Sequence, residues 1–168
     1  MKRMKLKKLI INKKREKIFL HNLTDLNIKG GLDKMQTAVL KRALKLIFYY
    51  KKAGKKILVI SGEKDYKAEL IYKKNVITYD IALAQKLNKS VLDKHSVLVV
   101  IENQQENLNK LAKLIAYAKI ISLPTITVSS FSVNKDLKNK FDYNVKLKGS
   151  DFEKSFDNLK CLIKSVLY

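Results

Sequence analysis

Cysteine, proline and tryptophan are almost missing from this chain of 168 residues, which holds one cysteine, Cys161, one proline, Pro124, and no tryptophan. One cysteine excludes an intrachain disulfide and any cysteine-cluster metal site, so a core thiol in a reducing compartment is expected. Glycine is also scarce, with five in all. Gly62 stands alone, and Gly149 precedes a helical pattern without the companion glycines that let a backbone close on a pyrophosphate, so no nucleotide fingerprint is present. No apolar run approaches the roughly 18 residues of a membrane-spanning helix. The longest candidate, "LKLIFYY", is cut off by "KKAGKK", and a soluble protein is expected. Arginine is confined to Arg3, Arg15 and Arg42. Selection for ion-pair geometry would favour its planar fork, so the lysine bias points to AT-rich coding, as in an organelle genome or a reduced bacterium.

Acidic residues are the last shortage, and they set the charge. Lys plus Arg number 36 against 15 Asp plus Glu, giving a net charge of +21 and a pI near 9.9. Self-repulsion of this size weighs against a compact state unless a polyanion neutralises it, so nucleic acid is the expected partner, with a membrane surface as the alternative. The apolar fraction of 46% excludes a wholly disordered chain, and the length suits one domain. The opening "MKRMKLKKLIINKKREK" holds nine cations opposed only by Glu16. It lacks a secretory apolar core and the Arg/Ser character of a transit peptide, and reads as mature protein. Residues 1–31 are therefore expected to form a basic arm that orders on RNA, and residues 32–168 the folded domain.

Periodicity alternates along that domain. "TAVLKRALKLIFYYKKAG" sets Leu40, Ala43, Leu44, Ile47 and Phe48 at helical spacing, with Gly54 at the stop position. "KILVIS" follows as a short apolar strand of the kind buried on both faces. "EKDYKAELIYKK" predicts a helix, "NVITY" a strand, and "DIALAQKLNKSVLDK" a helix capped by Asp80. "SVLVVI" is the next strand, "LNKLAKLIAYAKI" the next helix and "PTITV" a further strand, in which Pro124 stands first, where a missing N–H is tolerated. Ser129 to Asn139 reads as the loop at that strand's carboxyl end, and Tyr143 opens an edge strand, "YNVKL". The closing "KGSDFEKSFDNLKCLIKSVL" has a helical face of Phe152, Phe156, Leu159, Leu162, Ile163 and Val166. Such alternation predicts a single three-layer α/β domain of the Rossmann-like, flavodoxin-like type, with about five parallel strands between helices.

Ligands of open parallel sheets bind outside the strand carboxyl ends. The loops there are "SGEKD", "ENQQ", "SSFSVNKD" and "KGSD". Their carboxylates Glu63, Asp65, Glu102, Asp136 and Asp151 have no motif spacing and read as caps and surface charge. His21 and His95 lack ligand spacing, and Ser129, Ser130 and Ser132 lack a nucleophile elbow. The tyrosines and phenylalanines fall mostly on core faces. No catalytic constellation, cofactor or metal site is visible, so a non-enzyme is expected.

Within this pattern "LDKMQTAVLKRALKLIFYYKKAGKKILVISGEKDYKAEL" resembles the segment of the small-ribosomal-subunit protein S-two family in which an Asp-Leu-x-x-Thr turn opens a long helix leading to a Lys-Ile-Leu strand. Asp33, Thr37, Ala43, Gly54, Lys56, Ile57, Leu58 and Lys64 hold the matching places. "VLVVIENQQENLNKLAKLIAYAKIISLPTITVSSF" is similar to that family's strand, acidic turn, helix and Ile-Pro-Thr strand. In the last segment Asp142, Tyr143, Gly149, Asp151 and Ser155 match its closing motif, with Asn144 and Lys148 replacing two prolines. The chain departs from the family at Ser129, Ser130 and Phe131, where an Asp-Thr-Asn is usual, and it lacks the projecting helical hairpin.

The resemblance implies a structural constituent of the small ribosomal subunit, a shortened and divergent mitochondrial member, with a plastid or a bacterial cytoplasm as alternative locations. It would sit at the head–body junction with small-subunit ribosomal RNA and neighbouring ribosomal proteins as partners, and no small-molecule substrate. The cations expected at RNA are Lys2, Arg3, Lys5, Lys7, Lys8, Lys13, Lys14, Arg15 and Lys17 of the arm. Further ones are Lys51, Lys52, Lys55, Lys56 and Lys64 around the first strand, and Lys135, Lys138 and Lys140 after the Pro-Thr strand. The competing readings are a flavodoxin-like or receiver-like regulatory or enzymatic domain, which the same strand–helix order builds, and a free-standing RNA-binding module.

Overall fold

The computed structural model of the chain describes residues 17, 34–62, 75–102, 104–147 and 166. The expected helix over residues 63–74, the closing helix apart from Val166, and the arm apart from Lys17 lie outside these residues.

Helix α1, Lys34–Lys52, is the long amphipathic helix expected from the sequence, and it buries Thr37, Leu40, Ala43, Leu44 and Ile47. It stops where Gly54 adopts φ +70. There Gly54 N donates to Lys51 O at 3.0 Å and Lys55 N to Tyr50 O at 2.9 Å, the paired bonds of a left-handed helix terminus. Strand β1, Ile57–Ser61, follows with all five residues buried. Strand β2 is Val76–Tyr79.

Between β2 and the next strand the expected single helix over residues 80–94 is two short ones, α2 at Ile81–Ala84 and α3 at Lys89–Leu92. Asp80 caps α2 as expected, accepting from Leu83 N at 2.7 Å. The break follows from Leu87 and Asn88, since Asn88 is extended and starts α3 anew. Strand β3 is Val97–Ile101. Helix α4, Gln105–Lys110, and helix α5, Ala112–Ile120, then divide the next predicted helix at Leu111, whose backbone leaves the helical region.

Strand β4, Thr125–Ser129, is buried throughout. The predicted loop after it contains a short helix, α6, Lys135–Lys138, pinned by the buried Leu137. Strand β5, Tyr143–Lys146, closes the sheet at its edge.

All four pairings are parallel and the order is β2-β1-β3-β4-β5. This is the three-layer α/β fold predicted from the alternation. Period-2 side-chain alternation divides the strands between two cores. Ile57, Val59, Val97, Val99, Ile126, Val128 and Val145 face α1, while Leu58, Ile60, Leu98 and Val100 face the short helices.

Candidate functional site

In this strand order, the chain leaves β1 toward β2 on one side and later returns to place β3 on the other. The crevice between the carboxyl ends of β1 and β3 is thus the topological switch point, where the two connections diverge. Register fixes what stands there. Ser61 pairs with Ile101, Ile101 with Val128, and Ser129 with Lys146. Counting onward with period 2 from the second core, Gly62, Glu102, Ser129 and Lys146 share its face at the ends of four neighbouring strand positions, β1, β3, β4 and β5.

Glu102 is the chemical centre of this row, and it is 4% exposed. Its backbone N–H donates to Val128 O at 3.0 Å, extending the ladder one residue past β3, and its Oε1 accepts from Gln104 N at 3.0 Å. The carboxylate lies against Gly62, where a Cβ would overlap it and come within 2.9 Å of Cδ. Glycine is needed here for close approach, not for backbone shape. A carboxylate kept this far from bulk water needs polar company.

Across the crevice, Ser129 Oγ donates to Phe131 O at 3.0 Å and so folds the β4 loop back on itself. Lys146 extends its ammonium to Ser132 Oγ in the same loop. Lys146 is fixed from behind, because its backbone N–H donates to Gln36 Oε1 of α1 at 2.9 Å. Asn134 N donates to Gln105 Oε1 at 3.2 Å, tying the β4 loop to the start of α4. Thr127, two residues upstream of Ser129 on the same face, has a buried Oγ1 with no hydrogen-bond partner among the described residues.

A second polar cluster at the opposite, amino edge is structural. Asp142 accepts from Thr125 N at 2.9 Å and from Lys119 Nζ at 2.9 Å. The Thr125 hydroxyl lies 3.1 Å from both Asp142 Oδ2 and Lys140 O and donates to one of them. Partial burial pushes the Asp142 carboxyl up, but the bonds from Lys119 and Thr125 together outweigh it and hold the group below its ordinary range. His95 is buried nearby in sequence to β3, its Nδ1 donating to Val91 O at 2.6 Å.

Only some of the cations expected at RNA stand among the described residues. Lys2, Arg3, Lys5, Lys7, Lys8, Lys13, Lys14, Arg15 and Lys64 lie outside the described residues, and Lys17 is exposed. Lys52, Lys55 and Lys56 are exposed at the amino edge beside the start of β1. Lys51 joins them but spends its ammonium on Val166 O at 3.1 Å. Lys135 and Lys138 are exposed on α6, and Lys140 precedes β5. Sequence reasoning passed over Lys146 altogether, and took Glu102 and the serines as unremarkable. Strand parity carries the missing signal, because "VLVVIE", "TITVS" and "YNVK" put Glu102, Ser129 and Lys146 in phase once the strands are aligned by register. Among the described residues no cluster of three or more His, Cys, Asp or Glu is placed to hold a metal ion, and no helix is long and apolar enough to cross a membrane.

No protein-family model matches the chain, and no curated protein matches it. Solved structures do. A phosphoheptose isomerase from Francisella tularensis superposes with a TM-score of 0.54 at 13% identity, covering 77% of this chain and 85% of that one. The Vibrio vulnificus NanR protein complexed with ManNAc-6P gives 0.48 at 14% identity, covering 94% of this chain and 62% of that one.

These findings correct three expectations. That the chain is no enzyme is overturned by its sharing a fold with a phosphoheptose isomerase. Such a fold assembles its site from strand ends far apart in sequence, so a missing motif excludes no chemistry. The ribosomal reading, with ribosomal RNA-binding and translation as its role, is overturned with it, as are ribosomal RNA and ribosomal proteins as partners with no small-molecule substrate. The phosphoheptose isomerase that shares the sheet is a protein of a sugar phosphate and not of the ribosome.

Proposed function

We propose that the chain is a small-molecule-binding α/β domain, enzymatic or regulatory, whose ligand is a sugar phosphate held at the carboxyl edge of the sheet. The observation that carries this is the row Gly62, Glu102, Ser129 and Lys146, brought onto one face by register across the switch point. It offers a buried carboxylate, hydroxyls and an ammonium in one crevice, which is the mixed polarity a sugar phosphate presents. The fold shared with phosphoheptose isomerase supports the ligand class. The net charge of +21 supports an anionic ligand too, since a field of that sign raises the encounter rate with anions.

An interconversion of aldose and ketose phosphates moves a proton from the carbon beside a carbonyl to its neighbour, and one carboxylate can take it and return it. Glu102 is the carboxylate this crevice offers. Titration of the full chain with hexose and heptose phosphates, followed by calorimetry and by amide shifts, should give saturable binding centred on residues 61–62, 102, 129–132 and 146. Failure of every sugar phosphate to bind overturns the reading. A coupled assay for aldose–ketose turnover then separates enzyme from regulator.

The likeness to the S-two family is proposed as shared scaffold. Thr125 and Asp142, which stand in two separate matching segments, are joined by hydrogen bonds across the amino edge. The idea is tested by aligning close homologues. Retention of Thr125 and Asp142 together supports it, and independent variation of the two counts against it.

A further inference from the structure

The amino edge of the sheet, opposite the crevice, carries a surface of its own, and we propose that it docks on an anionic lipid bilayer. This goes beyond the sugar-phosphate reading and does not depend on it. In a parallel sheet every turn that enters a strand arrives at this edge, so topology gathers there residues far apart in sequence. In sheet order, Lys55 and Lys56 precede β1, Lys94 precedes β3, Lys119 and Ile120 end α5 ahead of β4, and Lys140 precedes β5. Lys55, Lys56, Lys94 and Lys119 are exposed and Lys140 is half-buried. From β1 to β5 there are three strand spacings, about 15 Å, so these ammonium groups form a band and not a point. Among the described residues the acids of this edge are Asp93 and Asp142. Asp142 accepts from Lys119 Nζ at 2.9 Å, and Asp93 accepts from Tyr117 Oη at 3.3 Å.

Backbone bonds hold the band in place. Ser96 N donates to Lys56 O at 2.8 Å, tying the turn before β1 to the turn before β3, and Leu98 N donates to Pro124 O at 2.9 Å. Asp142 N donates to Thr125 O at 3.0 Å and fixes the start of β5 against β4. The lysines therefore project from a rigid rim, and little backbone order is lost when they meet a partner.

Ile120 separates lipid from other polyanions. It is 77% exposed, more than any other large hydrophobic side chain among the described residues, while its helix buries Ile115 and Ala118. The turn that carries it is closed by Ser122 N to Lys119 O at 3.1 Å and by Leu123 N to Ala118 O at 2.9 Å. An aliphatic group among ammonium groups adds nothing for a single-stranded nucleic acid, whose bases stack on aromatic rings. A bilayer takes both, since its acidic headgroups attract the lysines and its acyl boundary accepts the isoleucine. Attachment through one inserted side chain and a band of charge is peripheral, reversible and sensitive to salt. It leaves the carboxyl edge, five residues and roughly 16 Å away along β1, facing water.

The test is flotation of the full chain with vesicles of phosphatidylcholine alone or mixed with phosphatidylserine. Binding to the mixed vesicles that falls with added salt is expected, with none to phosphatidylcholine alone. Because a chain of net charge +21 is drawn to anionic lipid in any case, two variants of equal charge carry the comparison. The edge variant combines Lys55→Gln, Lys56→Gln, Lys94→Gln and Lys140→Gln, and the control combines Lys45→Gln, Lys86→Gln, Lys110→Gln and Lys113→Gln, which are exposed elsewhere. The edge variant should bind mixed vesicles about tenfold or more weaker than the control. Ile120→Ser should bind about threefold or more weaker than the wild type with its charge unchanged. Circular dichroism melts establish that each variant is folded, and Ile120→Ser carries the test if the edge variant is not. No binding of the wild type to mixed vesicles, equal loss in the edge and control variants, or full binding by Ile120→Ser overturns the proposal. So does an edge variant that keeps the vesicles and loses polyuridylate, which makes the edge a nucleic-acid surface.

Discussion

The two faces of the sheet use the same strands and are covered in opposite ways. Among the described residues one face packs under one helix of 19 residues, α1, through Leu40, Leu44 and Ile47, and Val166 joins the same core. On the other, the described cover is five short helices, α2 to α6, that contribute Ile81, Leu92, Leu108, Ile115 and Leu137 among others. Both cores are dry. What differs is how often the chain returns to the sheet. A long helix covers much of a face in one pass, whereas repeated short helices bring loop after loop to the strand ends. Glu102, Ser129 and Lys146 all sit on the broken side. The uninterrupted cover supplies support, such as the Gln36 bond to Lys146, and the interrupted one supplies chemistry.

The comparison breaks if either core is loosely packed. Leu44→Ala under α1 and Leu58→Ala on the opposite face are each fully buried positions, and each change should lower unfolding free energy by about 2–5 kcal/mol in urea titrations. A loss below about 1 kcal/mol at Leu44 would mean that the long helix does not seal its face.

A smaller effect is expected at the crevice. Gly62→Ala puts a methyl where the Glu102 carboxylate lies. The carboxylate is the far end of a side chain and can yield, so the cost should be about 1–3 kcal/mol, with ligand affinity falling further than the melting temperature suggests. Retained affinity would show that Glu102 is not part of the site.

At the amino edge the expectation concerns pH. The folded Asp142 carboxyl is held below its unfolded value, near 3.9, so its contribution is present above that value and is lost as pH falls through the lower folded pKa. Thermal midpoints of wild type and Asp142→Asn should therefore converge in strong acid and separate above about pH 4. Lys119→Met should lower the midpoint only slightly, because the Lys119–Asp142 side chains are 49% and 36% exposed and their attraction is screened.

The smallest effect sharpens the comparison between the covers. Helix α5 ends as α1 does, with Leu123 N donating to Ala118 O at 2.9 Å and Ser122 N to Lys119 O at 3.1 Å. Here the left-handed position is Ser122, at φ 55, and not glycine. Ser122→Gly should relieve that conformation and stabilise by about 1 kcal/mol or less, while Gly54→Ala should destabilise by about 1 kcal/mol. Differential scanning calorimetry on both variants checks the opposite signs.

Much of the architecture was legible because its signals are local. A 3.6-residue stripe with a glycine at its end marks α1, and continuous apolar runs mark β1, β3 and β4 as strands buried on both faces. The divided helices were harder. "DIALAQKLNKSVLDK" satisfies helical spacing as a whole, yet Asn88 restarts it, since an extended residue there lets Leu92 reach the second core. The site was least legible. Glu102 looked like one more loop carboxylate, and Lys146 like one more lysine among many.

By itself the sequence determined the alternation of elements, the buried strands, the helix stop at Gly54 and the strong positive charge, because each follows from spacing, backbone permissiveness or composition within a short stretch. Only the tertiary structure decided that Gly62, Glu102, Ser129 and Lys146 share one face of one edge. Their separation along the chain is bridged by parallel register, and register is set by the fit of two cores that no local window contains.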